Sequence, residues 1–362
     1  YLIFMTHSTN YANDRLALYT LQSVLDFLRC WTTLRLSTLP PLEMASRYFA
    51  QYHKEKMPLW GNPCRDKRHV RMWPGYPNKC AQFPSLLILG PQKTGSTALH
   101  SFLKLHSLLL PSLPSPDTFE EVQFFSGKRY HKGINWYVSQ FSAVPFDNVT
   151  LESEFVLFDK SATYFDSAVA PLRVQALLPD AKLVVILADP VHRAYSWYQH
   201  MVAHSDETAL GHSFLDVLSP PPGNLTAPLA ALRHKCLHPG HYAQHIQRWL
   251  QHFHRKQLLL VDGDLLREDP VSVMRQVQQF LQLPTLIDYK QLIGYDSAKG
   301  FYCQLLPHGR TKCLGRGKGR HYPPMSPQAL AWLQDYYRPH NQALLDLLQQ
   351  QQYPRPRWLA GD

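Results

Sequence analysis

The segment Leu86-Leu87-Ile88-Leu89-Gly90-Pro91-Gln92-Lys93-Thr94-Gly95-Ser96-Thr97-Ala98-Leu99 constrains this chain more than any other. Its apolar run predicts a buried strand over 85–89, then a Gly-bounded turn over 90–95 and a helix over 96–106. A strand that enters a helix through such a turn aims backbone N–H groups and the helix N-terminus at one spot, an anion cradle. Lys93 adds a full positive charge there, and Ser96 and Thr97 add hydroxyl donors. A nucleotide-triphosphatase loop would read GxxxxGK[ST], with lysine directly after the second glycine. Here that position holds Ser96 and the lysine lies inside the loop, which counts against a kinase or an ATPase.

The strand-then-helix rhythm recurs. Strands are expected at 182–188 and 257–262, followed by helices from about 190 and over 270–282. Tyr242, Ile246, Trp249, Leu250 and Phe253 mark a further helix, and Leu330, Leu333, Tyr337, Leu344 and Leu348 a last one across 327–350. Alternation of this kind predicts an α/β domain, a mainly parallel sheet flanked by helices, with ligands at the carboxyl ends of its strands. Helical spacing also covers 14–29 and 41–52, ahead of a Pro/Gly-rich break at 58–84 that reads as a linker. The organisation expected is 1–82 as one part and 83–362 as the α/β domain.

With 45% hydrophobic and 18% charged residues, the chain excludes disordered, collagen-like and coiled-coil classes. No run approaches the roughly 18–20 apolar residues of a membrane span. The opening Tyr1-Leu2-Ile3-Phe4-Met5 reads like mid-strand, so the chain reads as a piece of something longer. A formal charge of +10 favours a polyanionic partner, although a soluble basic surface would give the same number. Nucleic acid is not indicated, because no recognised binding motif accompanies the charge. Six cysteines form no CxxC pair, so no zinc site is expected. Spacing suggests bridges between Cys64 and Cys80 and between Cys303 and Cys313, leaving Cys30 and Cys236. Sequons at Asn148 and Asn224 point, with the cysteines, to the secretory pathway.

A second anion element follows the strand at 182–188. Asp189 is suited to N-cap a helix and Pro190 to its first position. Arg193, Ser196 and His200 then share one face, where an arginine and a hydroxyl can clamp a phosphate; an ordinary amphipathic helix would look the same. Five runs, Gly90–Leu99, Thr118–Phe125, Tyr130–Ile134, Arg193–His200 and Lys312–Gly315, together resemble the sulfotransferase module of the heparan sulfate N-deacetylase/N-sulfotransferase family.

That resemblance implies a P-loop-like sulfotransferase fold that takes 3′-phosphoadenosine 5′-phosphosulfate (PAPS) as sulfuryl donor, needs no metal, and N-sulfates glucosamine in heparan sulfate or heparosan. It implies Glu121 as base, with Glu120 its neighbour, Lys93 and Lys318 as cations at the transferring group, and His200 as a further catalytic histidine. PAPS contacts implied are Lys93, Thr94, Gly95, Ser96, Thr97, Arg193, Ser196, Tyr302, Lys318, Gly319, Arg320, His321 and Tyr322. His131 and Lys132 would line the polysaccharide cleft, and Asp159 stands where the family has glutamate. Residues 1–82 resemble the tail of a deacetylase module, with His7 at a strand end; no deacetylation is expected of this chain. The family implies the lumenal side of the Golgi membrane, reached through an anchor outside this chain. An O-sulfotransferase of the same fold and a non-catalytic polyanion binder are the alternatives.

Overall fold

The computed structural model describes residues 15–35, 39–52, 59–65, 82–114, 120–127, 129–142, 155–221, 223–315 and 322–359. It divides into two units, one ending at Leu59 and one beginning at Trp60. The first contributes helices α1 (Arg15–Trp31) and α2 (Pro41–Gln51), both where apolar spacing placed them. The unit boundary falls inside the Pro/Gly-rich stretch of 58–84, near its start. Trp60 donates its backbone N–H to the Tyr130 hydroxyl (2.9 Å) and Asn62 its amide to the Leu177 carbonyl (2.7 Å), which ties residues 60–65 to the second unit.

The second unit is built on a five-stranded sheet in the order β2-β3-β1-β4-β5, and every pairing is parallel. The strands are β1 (Leu86–Gly90), β2 (Leu109–Pro111), β3 (Val156–Lys160), β4 (Lys182–Leu187) and β5 (Leu258–Asp262). Helix α3 (Ser96–Leu103) follows β1, and α4 (Gly133–Val138) lies between β2 and β3. After β3 comes α5 (Ala170–Leu177), after β4 α6 (Pro190–Ala203), then α7 (Ala227–Leu237) and α8 (Tyr242–Leu250). Helices α9 (Gly263–Glu268) and α10 (Pro270–Leu281) follow β5, and α11 (Pro327–Gln350) precedes a final 3₁₀ turn at Arg357–Leu359.

Strand side chains alternate between two cores. Leu86, Ile88, Val184 and Ile186 bury against Leu99 and Leu103 of α3 and Val273 and Val277 of α10. Leu87, Leu89, Leu183 and Val185 bury on the other face, with Val174 and Leu177 of α5 and Ile246 and Trp249 of α8. The crossovers leaving the neighbouring strands β1 and β3 therefore take opposite faces. That is a topological switch point, and it opens a crevice at the carboxyl ends of these two strands. A separate antiparallel ribbon, β6 (Ile293–Asp296), β7 (Phe301–Leu305) and β8 (Thr311–Lys312), is fastened by the Cys303–Cys313 disulfide.

Candidate active site

At the end of β1 the backbone takes conformations that few side chains permit. Gly90 has φ +100°, and a Cβ there would lie 2.4 Å from the Ala162 carbonyl oxygen. The strand end is thus pressed flat against the segment that follows β3, and Phe165 N donates to Leu89 O (3.0 Å) across the same contact. Lys93 (φ 72°) and Gly95 (φ 101°) turn the loop into α3, with Gly95 at the N-cap. Thr94 is buried and its hydroxyl donates to the Pro91 carbonyl (2.8 Å), so that hydroxyl closes the turn. Ser96 is buried and Thr97 half-buried in the first turn of α3.

On the far side of Ala162 sits Glu121. One carboxylate oxygen accepts from Ala162 N (3.3 Å) and the Gln123 amide (3.4 Å); the other lies 3.0 Å from the Lys160 ammonium. Lys160 ends β3 with 3% of its side chain exposed, and Glu120 lies 3.8 Å from the same ammonium. His100 of α3 completes the cluster, its Nδ1 4.0 Å from the Glu120 carboxylate. Burial, then the charges of Lys160 and Lys104, push the His100 imidazole from 6.5 down to about 3, so it stays neutral. The cradle loop and a cation-paired carboxylate thus meet at one residue, inside the crevice that the topology opens. Lys160 had no role in the sequence reading. Its signal was a charged pair, Asp159-Lys160, ending an apolar run at a strand's carboxyl end.

The sulfotransferase domain family model matches residues 83–348. The chain belongs to the sulfotransferase domain family. It is 51% identical over 362 residues to the bifunctional heparan sulfate N-deacetylase/N-sulfotransferase 1 of Xenopus tropicalis. The namesake from Homo sapiens is 51% identical over 360 residues. Each alignment takes in 99% of this chain, which spans 40% of the length of those relatives. Among solved structures, a sulfotransferase from Alicyclobacillus acidocaldarius shares the fold, with a TM-score of 0.52 at 20% identity over 75% of this chain and 97% of that one.

Other expected residues of this sulfotransferase domain are placed unevenly. Asp189 caps α6, accepting from Val191 N (2.9 Å). Arg193 is 1% exposed, and its guanidinium donates to the carbonyls of Gln92 (3.4 Å), Lys235 (3.3 Å) and Cys236, which braces the cradle loop from within, while its buried Nε has no hydrogen-bond partner among the described residues. Ser196 stays half-buried on α6, and His200 lies near the end of that helix with its ring 4.1 Å from His204. Tyr302 sits on β7 opposite Tyr295, ring to ring at 5.4 Å, and Tyr322 lies beside Tyr195 of α6 at 6.4 Å. The ammonium of Lys132 lies 4.8 Å over the Trp136 ring, and His131 is exposed. Lys318, Gly319, Arg320, His321, His7, Cys80 and Asn148 lie outside the described residues; Cys64 is disulfide-bonded. Asn224 is exposed. Asp296 lies beside Cys303 and Cys313, but their bridge removes both thiolates from metal binding.

Proposed function

We propose that this chain transfers a sulfuryl group from PAPS to the free amine of glucosamine in a heparan-type polysaccharide. The observation that carries the reading is the shared Ala162: the anion cradle packs on one side of it and the Lys160-paired carboxylate of Glu121 on the other. Relatives 51% identical across nearly the whole chain support the choice of substrate.

In the reaction the amine nitrogen bonds to sulfur as the bond from sulfur to the bridging phosphate oxygen breaks, and an N–H proton passes to Glu121. The products are the N-sulfated sugar and 3′-phosphoadenosine 5′-phosphate (PAP). Lys93 and the N-terminus of α3 fit a cradle for the leaving phosphate, with Lys318 to Tyr322, Ser196 and Tyr302 as further nucleotide contacts. Arg193 acts by holding the carbonyl of Gln92, keeping the loop in shape. The buried Lys160 fixes the Glu121 carboxylate in direction before substrate arrives. A disulfide-permissive compartment such as the Golgi lumen suits the Cys303–Cys313 bridge. Residues 1–82 fit the end of a preceding deacetylase module and a linker.

The test is transfer of label from ³⁵S-PAPS, in EDTA, to N-deacetylated heparosan or its N-acetylated parent, beside Glu121→Gln. Label should enter only the free-amine polymer, and the variant should lose about 10²–10⁴-fold in rate, the usual worth of a positioned base. Equal labelling of both polymers would indicate O-sulfation. PAP binding without transfer would indicate a polyanion binder.

A further inference from the structure

Asp159 is fully buried on β3, directly before Lys160, and carries three hydrogen bonds. Ser161 Oγ donates to one carboxylate oxygen (2.7 Å), while Tyr164 (2.8 Å) and Tyr137 (3.0 Å) donate to the other. Two of these hydroxyls are links and not ends. Ser161 Oγ accepts from Gln123 N (2.9 Å), and the Tyr164 hydroxyl accepts from Phe124 N (2.9 Å). A hydroxyl has one proton, so giving it to Asp159 turns the lone pairs of Ser161 and Tyr164 towards the two amides. The segment so held begins two residues after Glu121 and passes through Gln123 at φ +52°.

We infer that Asp159 is a positioning residue: as an acceptor-only carboxylate it sets the direction of two hydroxyl links that fasten the 123–124 backbone and so hold Glu121 at its place beside Lys160 and Ala162. The inference rests on Glu121 being the base proposed above. Other ties act on the same stretch, since Arg129 donates to the carbonyls of Glu121 (3.3 Å) and Val122 (3.0 Å) and Arg173 to that of Phe125 (2.8 Å). None of these supplies an acceptor for the two amides. An asparagine at 159 offers one acceptor oxygen and a donating NH₂, which competes for the lone pairs the amides need. Protonation has the same effect. The groups facing the carboxylate are Tyr137 of α4, Ser161 and Tyr164 after β3, and the charge of Glu121, and burial raises Asp159 from 3.8 to about 6.

The experiment compares wild type with Asp159→Asn, Asp159→Glu and Glu121→Gln in three readouts: hydrogen exchange of a peptide spanning 120–126, affinity for PAP, and kcat against pH on N-deacetylated heparosan. Asp159→Asn should speed exchange in that peptide alone, keep PAP affinity, lower kcat about 10–100-fold as for a misplaced catalytic group, and abolish the acid limb of kcat near pH 6. Asp159→Glu, which keeps the acceptor charge, should recover most of the rate. Unchanged exchange, or a kcat–pH profile that superimposes on that of the wild type, would overturn the inference. If Asp159→Asn fails to fold, Ser161→Ala and Tyr164→Phe each remove one link and should speed exchange in the same peptide; normal protection in both would also overturn it. Full activity in Glu121→Gln would instead refute the base, while the exchange result still decides the anchoring.

Discussion

Replacing His100 by phenylalanine should make the protein markedly less sensitive to acid. The ring is 3% exposed, packs edge-on to Phe158 at 5.5 Å, and its Nδ1 has no hydrogen-bond partner among the described residues. Folding therefore holds the imidazole neutral, at about 3 in place of 6.5. A histidine lowered in this way costs nothing above 6.5; as pH falls through 6.5 the unfolded chain takes up a proton that the folded chain refuses, so stability is lost. At pH 5 the unfolded imidazole sits about 1.5 pH units below its midpoint, which at roughly 1.4 kcal/mol per unit is about 2 kcal/mol. His245, also held at about 3 by burial, adds a loss of the same form, and Asp159, raised to about 6, works in the opposite direction. Both persist in the variant and cancel in the comparison. Urea unfolding at pH 7 and pH 5, followed through the buried Trp249, gives the two losses directly. The loss between the two pH values should be about 2 kcal/mol smaller in His100→Phe than in wild type, whatever the substitution costs in packing. Equal losses would refute the argument, because they would mean that His100 is protonated in the folded protein as readily as in the unfolded chain.

Gly90→Ala must place a Cβ 2.4 Å from a backbone oxygen at φ +100°, and should cost at least about 2–4 kcal/mol and weaken PAP binding. Gly61→Ala, with nothing among the described residues within 4 Å of the added carbon, should melt with the wild type in the same thermal scan. Cys303→Ser with Cys313→Ser opens a short loop worth about 2–3 kcal/mol. It should also free the ribbon that carries Tyr302, seen as a lower PAP affinity by calorimetry.

Length and punctuation carried much of the fold. Strands β1, β4 and β5 are five or six mostly apolar residues bounded by Gly, Pro or Asp, and the helices after them begin at Ser96, Pro190 and Pro270 within a residue or so of expectation. Strand β3 was invisible for a physical reason. Its last two residues, Asp159 and Lys160, are charged and interrupt the apolar run that marks a strand, yet they are 0% and 2% exposed. What makes that burial tolerable is supplied from elsewhere in the chain by Tyr137, Tyr164 and Glu121. Strand β2 is three residues long and ends in proline, too little to register as a period. The hydrogen bonds by which Trp60 and Asn62 join the second unit are likewise concealed by a Pro/Gly-rich composition.

Arg193 and Lys160 show where sequence reasoning about charge stops. Helical spacing correctly placed Arg193 in the first turns of α6, but spacing states which residues share a face and not what that face meets. Here it meets the carbonyls of Gln92, Lys235 and Cys236, which take protons from both terminal nitrogens of the guanidinium. Lys160 drew no notice in the sequence and is the cation between two glutamates. The difference lies in what the neighbours bring. Arg193 is surrounded by neutral acceptors, which need donors merely to be buried without penalty; Lys160 faces carboxylates that stay partly open to solvent. The arginine therefore braces the site, and the lysine belongs to it.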